Sequence, residues 1–532
     1  MTGVNGILTN VEREFPDYLR DESRRTGRAD SISFPKTEDE LRIHLAKALE
    51  SNMPVTLQGA RTGITGGAVP DGGHILNLSR MNRILGLRHD PEQNSFLLIV
   101  QPGVLLSEIR EVVAKKEFVT TDWSAESLQA LEKFTAGGEY FFPPDPTEAT
   151  ASIGGMAACN ASGARSFFYG PTRKYIKRLR VILADGSTLD LRRGEQKASG
   201  RAFSLVTDSD RKIEGNLPPY DMPDVKNAAG YFVQDDMDLL DLFIGSEGTL
   251  GIFSEIELQL IPMPAVVWGV MAFLPGEGEA LRFVRKLREV GAAPSIMSCA
   301  LVALEFFDCR ALDLLRQQKK VNPAFKEIPD IPSERHTAIY VEYHGDNEET
   351  VENAVMEMSE MMIECGGNED ATWLASDNRE MERLKNFRHA IPEAVNLLID
   401  ERRKKEPGLT KLGTDLAVSD STLEKVMALY HKDLDENQLV YVMFGHIGNN
   451  HIHVNIIPNS LTEYECGKNL YLEWARTVAE WGGTVSAEHG IGKLKTALLR
   501  EMYGEKALLQ MWELKKLFDP EIILNPGNLF EL

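Results

Sequence analysis

The sequence has little cysteine, and its five cysteines are scattered along the chain: Cys159, Cys299, Cys309, Cys365 and Cys466. No two of them form a CxxC pair, which excludes an iron–sulfur cluster or a zinc knuckle held by cysteines within this chain. The odd number and the wide spacing are typical of reduced thiols in a cytosolic protein.

Long hydrophobic runs are also absent. The longest apolar stretch, around Ala265–Leu274, lies between two prolines and is far shorter than the ~20 residues that a membrane helix needs. The N-terminus lacks the basic and then apolar pattern of a secretory signal. We therefore expect a cytoplasmic protein without a membrane span, peripheral to a membrane at most through a partner.

Basic charge is in deficit as well. The chain has 58 basic and 80 acidic residues, a formal net charge of −22 at pH 7. A field of this sign repels phosphate backbones and anionic lipid, so we expect no nucleic-acid partner and no polybasic membrane anchor. It also repels acidic substrates, so an acid would need a local group of arginine, lysine or metal.

The length of 532 residues is too great for one compact core. Residues 1–264 contain short β-prone runs separated by glycine-rich loops, whereas strand-like and helical periods alternate after residue 265. We predict two domains, residues 1–264 and residues 265–532. The polar stretches 123–139 and 194–235 are predicted to be surface insertions, which leave room for a homodimer or another partner.

The densest glycine cluster of the first 100 residues directly follows a predicted strand. Glycines allow the loop Gly59–Gly67 to turn successive backbone N–H groups inward, and such a loop can hold a pyrophosphate. The loop does not match the dinucleotide pattern GxGxxG, and no helix signal follows it. Taken alone, it is equally consistent with a plain glycine-rich turn.

Two further segments, Ser152–Gly163 and Gly245–Ile252, are rich in glycine and other small residues that allow a backbone to approach a flat ring system. Together with the first loop, they resemble the FAD-binding domain of the vanillyl-alcohol oxidase/p-cresol methylhydroxylase (PCMH) superfamily. Within it, the chain is similar to the D-lactate, D-2-hydroxyglutarate and glycolate dehydrogenase branch. The resemblance runs from about Asp30 to the C-terminus.

The resemblance implies an α+β fold: a PCMH-type FAD-binding domain and an FAD-linked-oxidase C-terminal substrate domain, with an antiparallel sheet and helices. The C-terminal segment would return toward the FAD domain. FAD would be bound non-covalently, because the loop Gly59–Gly67 contains no histidine and His74 on the next strand is interpreted as structural. The FAD contacts that the resemblance implies are Gly59, Arg61, Thr62, Gly63, Ile64, Thr65, Gly66, Gly67, Pro144, Asp145, Ser152, Gly154, Gly155, Asn160, Ser162, Gly163, Tyr169, Gly170, Glu247, Gly248, Gly251, Ile252 and Asn525.

A second group of chemically active residues lies in the segments Gly445–Asn455 and Ser486–Lys493. A lone histidine on a strand is usually a hydrogen-bonded core residue, but four of the chain's 11 histidines fall in these two glycine-containing segments. Two imidazoles and one carboxylate form an open set for a divalent metal, with Zn preferred and Mn, Fe or Co as alternatives.

The branch typically shows Gly-His-x-Gly-Asp-Gly-Asn-x-His, followed later by Glu-His-Gly. Carried over, the pattern implies three metal ligands (His446, His453 and Glu488), a catalytic base (His489) and a substrate contact (Asn455).

The chain departs from this pattern at three positions. Asn449, Asn450 and His451 stand where the branch has Asp, Gly and Asn, and the lost carboxylate removes a partner that would orient a ligand histidine. His451 has three interpretations: an extra ligand, a substrate contact, or a filler of the same space.

An acid substrate also needs a counter-charge. Arg388 matches the branch's substrate-carboxylate arginine, whose fork suits a carboxylate. Lys411 lies near a second basic contact, although two extra residues separate it from Asp415. A solvated surface charge is the alternative for both.

The resemblance implies an enzyme that is an FAD- and metal-dependent dehydrogenase of 2-hydroxy acids of D configuration, such as D-lactate. Hydride would pass to flavin N5, and a quinone, a cytochrome or an electron-transferring flavoprotein would accept the electrons rather than NAD. Two alternatives remain open. The first is another flavoenzyme on the same scaffold, either an oxidase of phenolic substrates or a redox-neutral alkyltransferase. The second is a non-catalytic subunit that binds metal or carries electrons.

Overall fold

The computed structural model describes residues 6–291, 299–334 and 337–531. Their strands form a four-stranded mixed sheet, a six-stranded sheet, a two-stranded hairpin and a seven-stranded sheet. Helices pack beside these sheets, so the predicted α+β class is confirmed. No helix within these ranges combines the length and the apolar character that crossing a bilayer requires.

The four-stranded sheet comes first in the chain. Its elements are β1 (Leu8–Thr9), α1 (Val11–Glu14), β2 (Ser31–Ser33), α2 (Glu38–Glu50), β3 (Val55–Gln58) and β4 (His74–Asn77). The strand order is β1-β2-β4-β3, and β4 is parallel to both of its neighbours. The Thr37 hydroxyl accepts the N–H of Glu40 at 3.2 Å and so caps α2, which covers this sheet with Leu41 and Leu45.

The six-stranded sheet is antiparallel and draws on residues up to 262. This stretch contains β5 (Ile84–Asp90), β6 (Ser95–Val100), β7 (Tyr140–Phe141), β8 (Ile176–Ile182), β9 (Thr188–Arg192), β10 (Ala202–Val206), β11 (Lys212–Asn216) and β12 (Ile252–Pro262). Its helices are α3 (Leu106–Lys115), α4 (Ala125–Ala136), α5 (Ile153–Cys159), α6 (Ser166–Tyr169) and α7 (Leu240–Phe243). The order is β5-β6-β12-β8-β9, β7 also pairs with β12, and β10 pairs with β11.

The prediction that residues 123–139 and 194–235 are surface insertions is wrong. Helix α4 buries Phe134 completely in the main core, and in the second stretch Tyr231 is completely buried as well. Polar residues dominate both stretches because only one face of each element is buried: β10 alternates exposed and buried residues along its length.

The seven-stranded sheet forms the centre of the second half of the chain. Its strands are β13 (Val266–Leu274), β14 (Cys299–Phe307), β15 (Thr337–Gly345), β16 (Trp373–Ala375), β17 (Leu412–Gly413), β18 (Tyr441–His446) and β19 (His451–Ile456). The helices are α8 (Glu277–Gly291), α9 (Cys309–Val321), α10 (Glu348–Glu364), α11 (Asn378–Arg403), α12 (Leu423–Glu436), α13 (Leu461–Glu480) and α14 (Thr496–Phe518). The antiparallel order is β16-β13-β15-β14-β18-β19-β17.

Two connections place the functional residues. The tight turn between β18 and β19 sets His446 directly opposite His451, so the histidine-rich segment folds back on itself. Near the other end of the chain, Leu524 pairs with Val55 beside the first sheet. The domain division after Pro264 stays a prediction; it falls in the short link between β12 and β13.

Candidate active site

A cavity of about 490 Å³ lies where the three glycine-rich segments meet. Lys411, Glu488 and His489, which come from the second half of the chain, line the same cavity. The predicted FAD contacts that line it are Gly59, Arg61, Thr62, Gly63, Ile64, Thr65, Gly67, Ser152, Gly154, Gly155, Ser162, Glu247, Gly248, Gly251, Ile252 and Asn525.

Glycine is required where the walls of the cavity touch each other. A Cβ on Gly59 would lie 2.1 Å from Ser152 Oγ. Gly248 has a φ of +70°, and its Cβ would lie 2.7 Å from Asn525 Nδ2. In contrast, a Cβ on Gly63 would meet nothing within 4 Å. The backbone therefore leaves open space in the cavity, and this suits a cofactor held by main-chain groups, as FAD would be.

Asn525 and Glu247 join the wall of the cavity to distant parts of the chain. Asn525 Oδ1 accepts the N–H of Leu57 at 2.7 Å, and its Nδ2 donates to the carbonyl of Glu247 at 2.7 Å. The Glu247 carboxylate accepts the N–H groups of Ile491 and Gly492 at 2.6 and 2.7 Å. Burial raises the pKa of Glu247 to about 7, although these two N–H groups oppose the shift.

Seven predicted FAD contacts do not line the cavity: Gly66, Pro144, Asp145, Asn160, Gly163, Tyr169 and Gly170. Several of them shape the surrounding frame. Asn160 has a φ of 48° at the end of α5 and accepts the N–H of Arg173 at 3.0 Å. A Cβ on Gly163 would lie 1.7 Å from the carbonyl oxygen of Asp145, so only glycine fits there.

The structure brings His446, His453 and Glu488 together and adds His451 to them. Glu488 Oε1 lies 3.2 Å from His446 Nε2 and 3.4 Å from His453 Nε2, while its Oε2 lies 4.0 Å from His451 Nδ1. One ligand atom from each of the four residues lies within 4.8 Å of the other three. We call these four residues the histidine–carboxylate cluster.

Each imidazole of the cluster has its outer nitrogen beside an oxygen. His446 Nδ1 lies 2.6 Å from Glu305 Oε1, and His453 Nδ1 lies 2.7 Å from the carbonyl oxygen of Thr414. His451 Nε2 lies 3.0 Å from Asp415 Oδ1. These oxygens favour the tautomers whose outer nitrogens carry the proton, so the inner nitrogens present lone pairs to the Glu488 carboxylate.

Lone pairs that face a carboxylate repel it unless a proton or a cation lies between them. The donor set of imidazoles and one carboxylate suits Zn, Mn, Fe or Co, so these residues fit a divalent cation. Burial acts to lower the pKa of His446, but the Glu305 and Glu488 carboxylates outweigh it and raise that pKa to about 9. The cluster therefore attracts positive charge, whether that charge is a divalent cation or a proton on His446.

Glu488 has a second partner that the sequence did not reveal. Lys226 Nζ donates to Glu488 Oε2 at 2.6 Å, and both side chains are nearly buried, with 7% and 10% exposure. Burial acts to raise the pKa of Glu488, but Lys226 and His446 hold it well below its usual range. Lys226 lies in residues 194–235, the stretch predicted to be a surface insertion. No sequence pattern there marks a single lysine as a partner of Glu488.

His489 faces the cavity with 27% of its side chain exposed. Its Nδ1 lies 3.4 Å from Asp415 Oδ2, and its Nε2 lies 3.5 Å from Glu488 Oε1. Asp415 is completely buried and also accepts hydrogen bonds from Lys495 Nζ and Ser486 Oγ, both at 2.6 Å. Asp415 therefore contacts both His489 and the cluster through His451. Its role was missed because no motif marks it.

The predicted substrate contacts are dispersed. Neither Arg388 nor Lys411 is an exposed surface charge. The Arg388 guanidinium lies 4.8 Å above the Tyr340 ring, and its Nε is buried without a hydrogen-bond partner among the described residues. Burial lowers the pKa of Lys411, which lines the cavity. Asn455 is 3% exposed and does not line the cavity; it pairs with Gly413 across β17 and β19.

A buried carboxylate network that the sequence did not reveal lies on β15. Glu342 accepts hydrogen bonds from Arg165 Nε at 2.7 Å and from the Tyr340 hydroxyl at 2.5 Å, and lies 2.9 Å from His344 Nε2. Burial acts to raise the pKa of Glu342, but Arg165 and His344 lower it strongly. This network fixes the Tyr340 ring on which Arg388 lies.

A cavity lined by glycine backbones lies beside a cluster of imidazoles and a carboxylate, the arrangement that the sequence resemblance implies for a flavin-dependent oxidoreductase. Residues 264–529 match the family described as FAD linked oxidases, C-terminal domain, and residues 29–127 and 121–192 match the FAD binding domain. The chain belongs to the FAD-linked oxidase family. The predictions of an FAD-linked enzyme and of a PCMH-type FAD domain followed by the FAD-oxidase domain are thereby confirmed.

Two relatives match nearly the whole chain. A D-lactate dehydrogenase of Anaerostipes hadrus is 28% identical over 526 residues, which are 96% of this chain and 92% of that protein. A D-2-hydroxyglutarate dehydrogenase of Xanthomonas citri pv. viticola is 27% identical over 532 residues, 98% of this chain and 94% of that protein. The predicted resemblance to this branch is confirmed.

The fold also matches that of a solved oxidase structure. A 4-ethylphenol oxidase from Gulosibacter chungangensis in complex with isoeugenol superposes with a TM-score of 0.64 at 16% identity, covering 99% of this chain and 94% of that one. At this identity the likeness concerns the fold alone. The metal, the electron acceptor and the roles of the individual site residues stay predictions.

Proposed function

We propose that the chain is an FAD- and metal-dependent dehydrogenase that oxidises a D-2-hydroxy acid to the 2-oxo acid. The observation that carries the proposal is the position of Glu488 and His489, which line the same cavity as the glycine-rich segments. The names of the two relatives support the substrate class, since both are dehydrogenases of D-2-hydroxy acids.

The glycine-rich segments would hold FAD, while His446, His453 and Glu488 would hold the cation. When bound, FAD supplies an acceptor for the hydride that the α-carbon loses, and the cation supplies Lewis-acid polarisation of a substrate oxygen.

His489 takes the proton of the α-hydroxyl at Nε2. Asp415 Oδ2, 3.4 Å from Nδ1, favours the tautomer that carries the proton on Nδ1, so that Nε2 is the basic nitrogen. The substrate thus loses one proton to His489 and one hydride to the cofactor, which balances its conversion to a 2-oxo acid.

The substrate carboxylate needs positive charge on this acidic protein. Lys411, which lines the cavity, supplies it in the proposal, together with Arg388, which lies outside the lining. The fork of an arginine suits a carboxylate better than a lysine does. We further propose that a quinone, a cytochrome or an electron-transferring flavoprotein reoxidises the enzyme. The lack of a GxGxxG pattern in the sequence supports an acceptor other than NAD.

An anaerobic titration of the FAD-loaded protein tests the proposal. D- and L-2-hydroxy acids and a phenol are added separately while flavin absorbance near ~450 nm is followed, before and after treatment with a chelator. We expect bleaching by a D-2-hydroxy acid and its loss after chelation. Bleaching that survives chelation would remove the metal from the proposal. Bleaching by the phenol alone would replace the dehydrogenase with a phenol oxidase.

A further inference from the structure

The three imidazoles of the histidine–carboxylate cluster are arranged alike. Each has an oxygen within 3.0 Å of its outer nitrogen and turns its inner nitrogen toward Glu488. His451 shares this arrangement although the typical branch pattern has asparagine at its position. Its ring centroid lies 4.3 Å from that of His453 and 5.4 Å from that of His446.

We infer that His451 is a fourth protein ligand of the cation, which it binds through Nδ1. This inference rests on the metal-dependent part of the proposed function. With His451 added to His446, His453 and Glu488, the cation would have four protein ligands, three imidazoles and one carboxylate.

The surroundings of His451 favour a ligand over its two alternatives. The side chain of His451 has no exposed surface, so a substrate cannot reach it. Neither ring nitrogen of His451 has a hydrogen-bond partner among the described residues, although Nε2 lies 3.0 Å from Asp415 Oδ1. A buried nitrogen without a partner is unfavourable in a residue that merely fills space, whereas a cation would satisfy it.

Asp415 lies on the side of His451 where the supporting carboxylate of a ligand histidine usually lies, 3.0 Å from Nε2, but the contact is not aligned as a hydrogen bond. A carboxylate on the outer nitrogen fixes the tautomer and makes the inner nitrogen a stronger donor. Glu305 lies in the corresponding position beside His446, 2.6 Å from Nδ1. Two of the three imidazoles are thus backed by buried carboxylates, and the third is backed by the carbonyl of Thr414.

The number of protein ligands in the cluster affects which divalent cation it would bind. Four protein ligands complete a tetrahedral site, whereas a catalytic zinc keeps an open position for water or substrate. A cation that accepts five or six ligands can bind all four residues and still bind a substrate. The four-ligand set therefore favours Mn²⁺, Fe²⁺ or Co²⁺ over the Zn²⁺ that the sequence suggested.

Cobalt binding tests the inference without measuring turnover. The FAD-loaded protein is freed of metal, loaded with Co²⁺ and titrated with a competing chelator, and the visible absorption of Co²⁺ is recorded. His451→Asn, which introduces the residue of the branch pattern, should weaken Co²⁺ binding about 100-fold or more and change the Co²⁺ spectrum. His453→Asn should show a comparable loss.

His74→Asn is the matched control. His74 is nearly as deeply buried as His451, with 3% against 0% exposure, but it is held by Ser31 and Ser33 in the first sheet. Its replacement should leave Co²⁺ affinity and spectrum unchanged. Bound FAD and thermal unfolding are measured for every variant to show that it is folded.

A measurement on the unaltered protein covers the case in which His451→Asn does not fold. X-ray absorption of the Co²⁺-loaded protein counts the imidazoles around the ion; we expect three, and two would overturn the inference. Equal Co²⁺ affinities for the His451→Asn variant and the unaltered protein would also overturn it and leave the proposed function intact. Failure of the unaltered protein to retain Co²⁺ would instead refute both the inference and the metal-dependent part of the proposed function.

Discussion

The cavity and the histidine–carboxylate cluster lie side by side but are built in different ways. Glycine backbones and small side chains shape the cavity, and each contributing segment is continuous in sequence. The cluster consists of side chains from β18, β19 and the Glu488 loop, with partners from several other places in the chain. The cavity depends on the lack of side chains at its glycines, whereas the cluster depends on the imidazole and carboxylate groups of particular side chains. A substitution should therefore damage the cavity by adding volume and the cluster by removing charge.

The largest effect is expected for His489→Asn. The variant keeps a polar side chain but loses the base, so the rate of flavin reduction by a D-2-hydroxy acid should fall about 10²- to 10⁴-fold. Bound FAD should not change, because the shape of the cavity is kept. Stopped-flow absorbance measures the rate. His431→Asn, which replaces a histidine bonded to Glu277 and Tyr441, is the control and should reduce flavin normally.

The next effect is expected for Lys226→Met, which leaves the Glu488 carboxylate without its ammonium partner. Breaking a buried ion pair in this way should lower the free energy of unfolding by about 3–5 kcal/mol in metal-free protein. A bound cation supplies positive charge, so the loss should be smaller in metal-loaded protein. Urea unfolding with and without the metal measures both. The exposed Lys468–Glu465 pair provides a control, since Lys468→Met should cost less than about 1 kcal/mol.

A pH-dependent effect of about 3 kcal/mol is expected from Glu247, which joins the cavity wall to the loop after His489. Below pH 4.5 the carboxyl is protonated in both the folded and the unfolded protein. Between pH 4.5 and 7 the folded protein retains a proton that the unfolded chain has released, so the stabilising contribution declines as the pH rises. Glu247→Gln should abolish this decline. Urea unfolding across this pH range measures it, and equal slopes for both proteins would contradict the prediction.

The smallest effect is expected for Gly59→Ala, whose Cβ would lie 2.1 Å from Ser152 Oγ. Overpacking of this kind should cost about 1–3 kcal/mol and reduce the FAD bound per chain, with no change in metal content. Adding Ser152→Ala removes the clashing oxygen and should restore part of the FAD binding. Gly138→Ala, where nothing lies within 4 Å, is the control. Reduced metal content in Gly59→Ala would show that the two regions are not independent.

The features of the site that could be predicted from the sequence are those formed by residues close to one another along the chain. Glycine-rich loops and the spacing of His446, His451 and His453 are local patterns, and the hairpin of β18 and β19 converts that spacing into proximity. The grouping with Glu488 came from the family resemblance. The polar composition of residues 123–139 and 194–235 was misleading, because half-buried elements expose enough polar residues to resemble surface loops.

The partners of the cluster could not be predicted from the sequence. Lys226 and Glu488 are separated by 262 positions, and Glu305 and His446 by 141. Each is a single charged residue without a motif, and only the pairing of strands such as β14 with β18 brings such residues together. Their importance comes from burial and from a specific neighbour, both of which are properties of the fold.

The contacts of Asn525 have a consequence for biosynthesis. This residue completes the cavity wall by bonding to Leu57, 468 positions earlier in the chain, and to Glu247, 278 positions earlier. A nascent chain on the ribosome therefore carries an incomplete cavity until residue 525 has been synthesised and released from the exit tunnel. Stable capture of FAD should accordingly wait until residue 525 has left the ribosome, because these contacts are also distant in sequence.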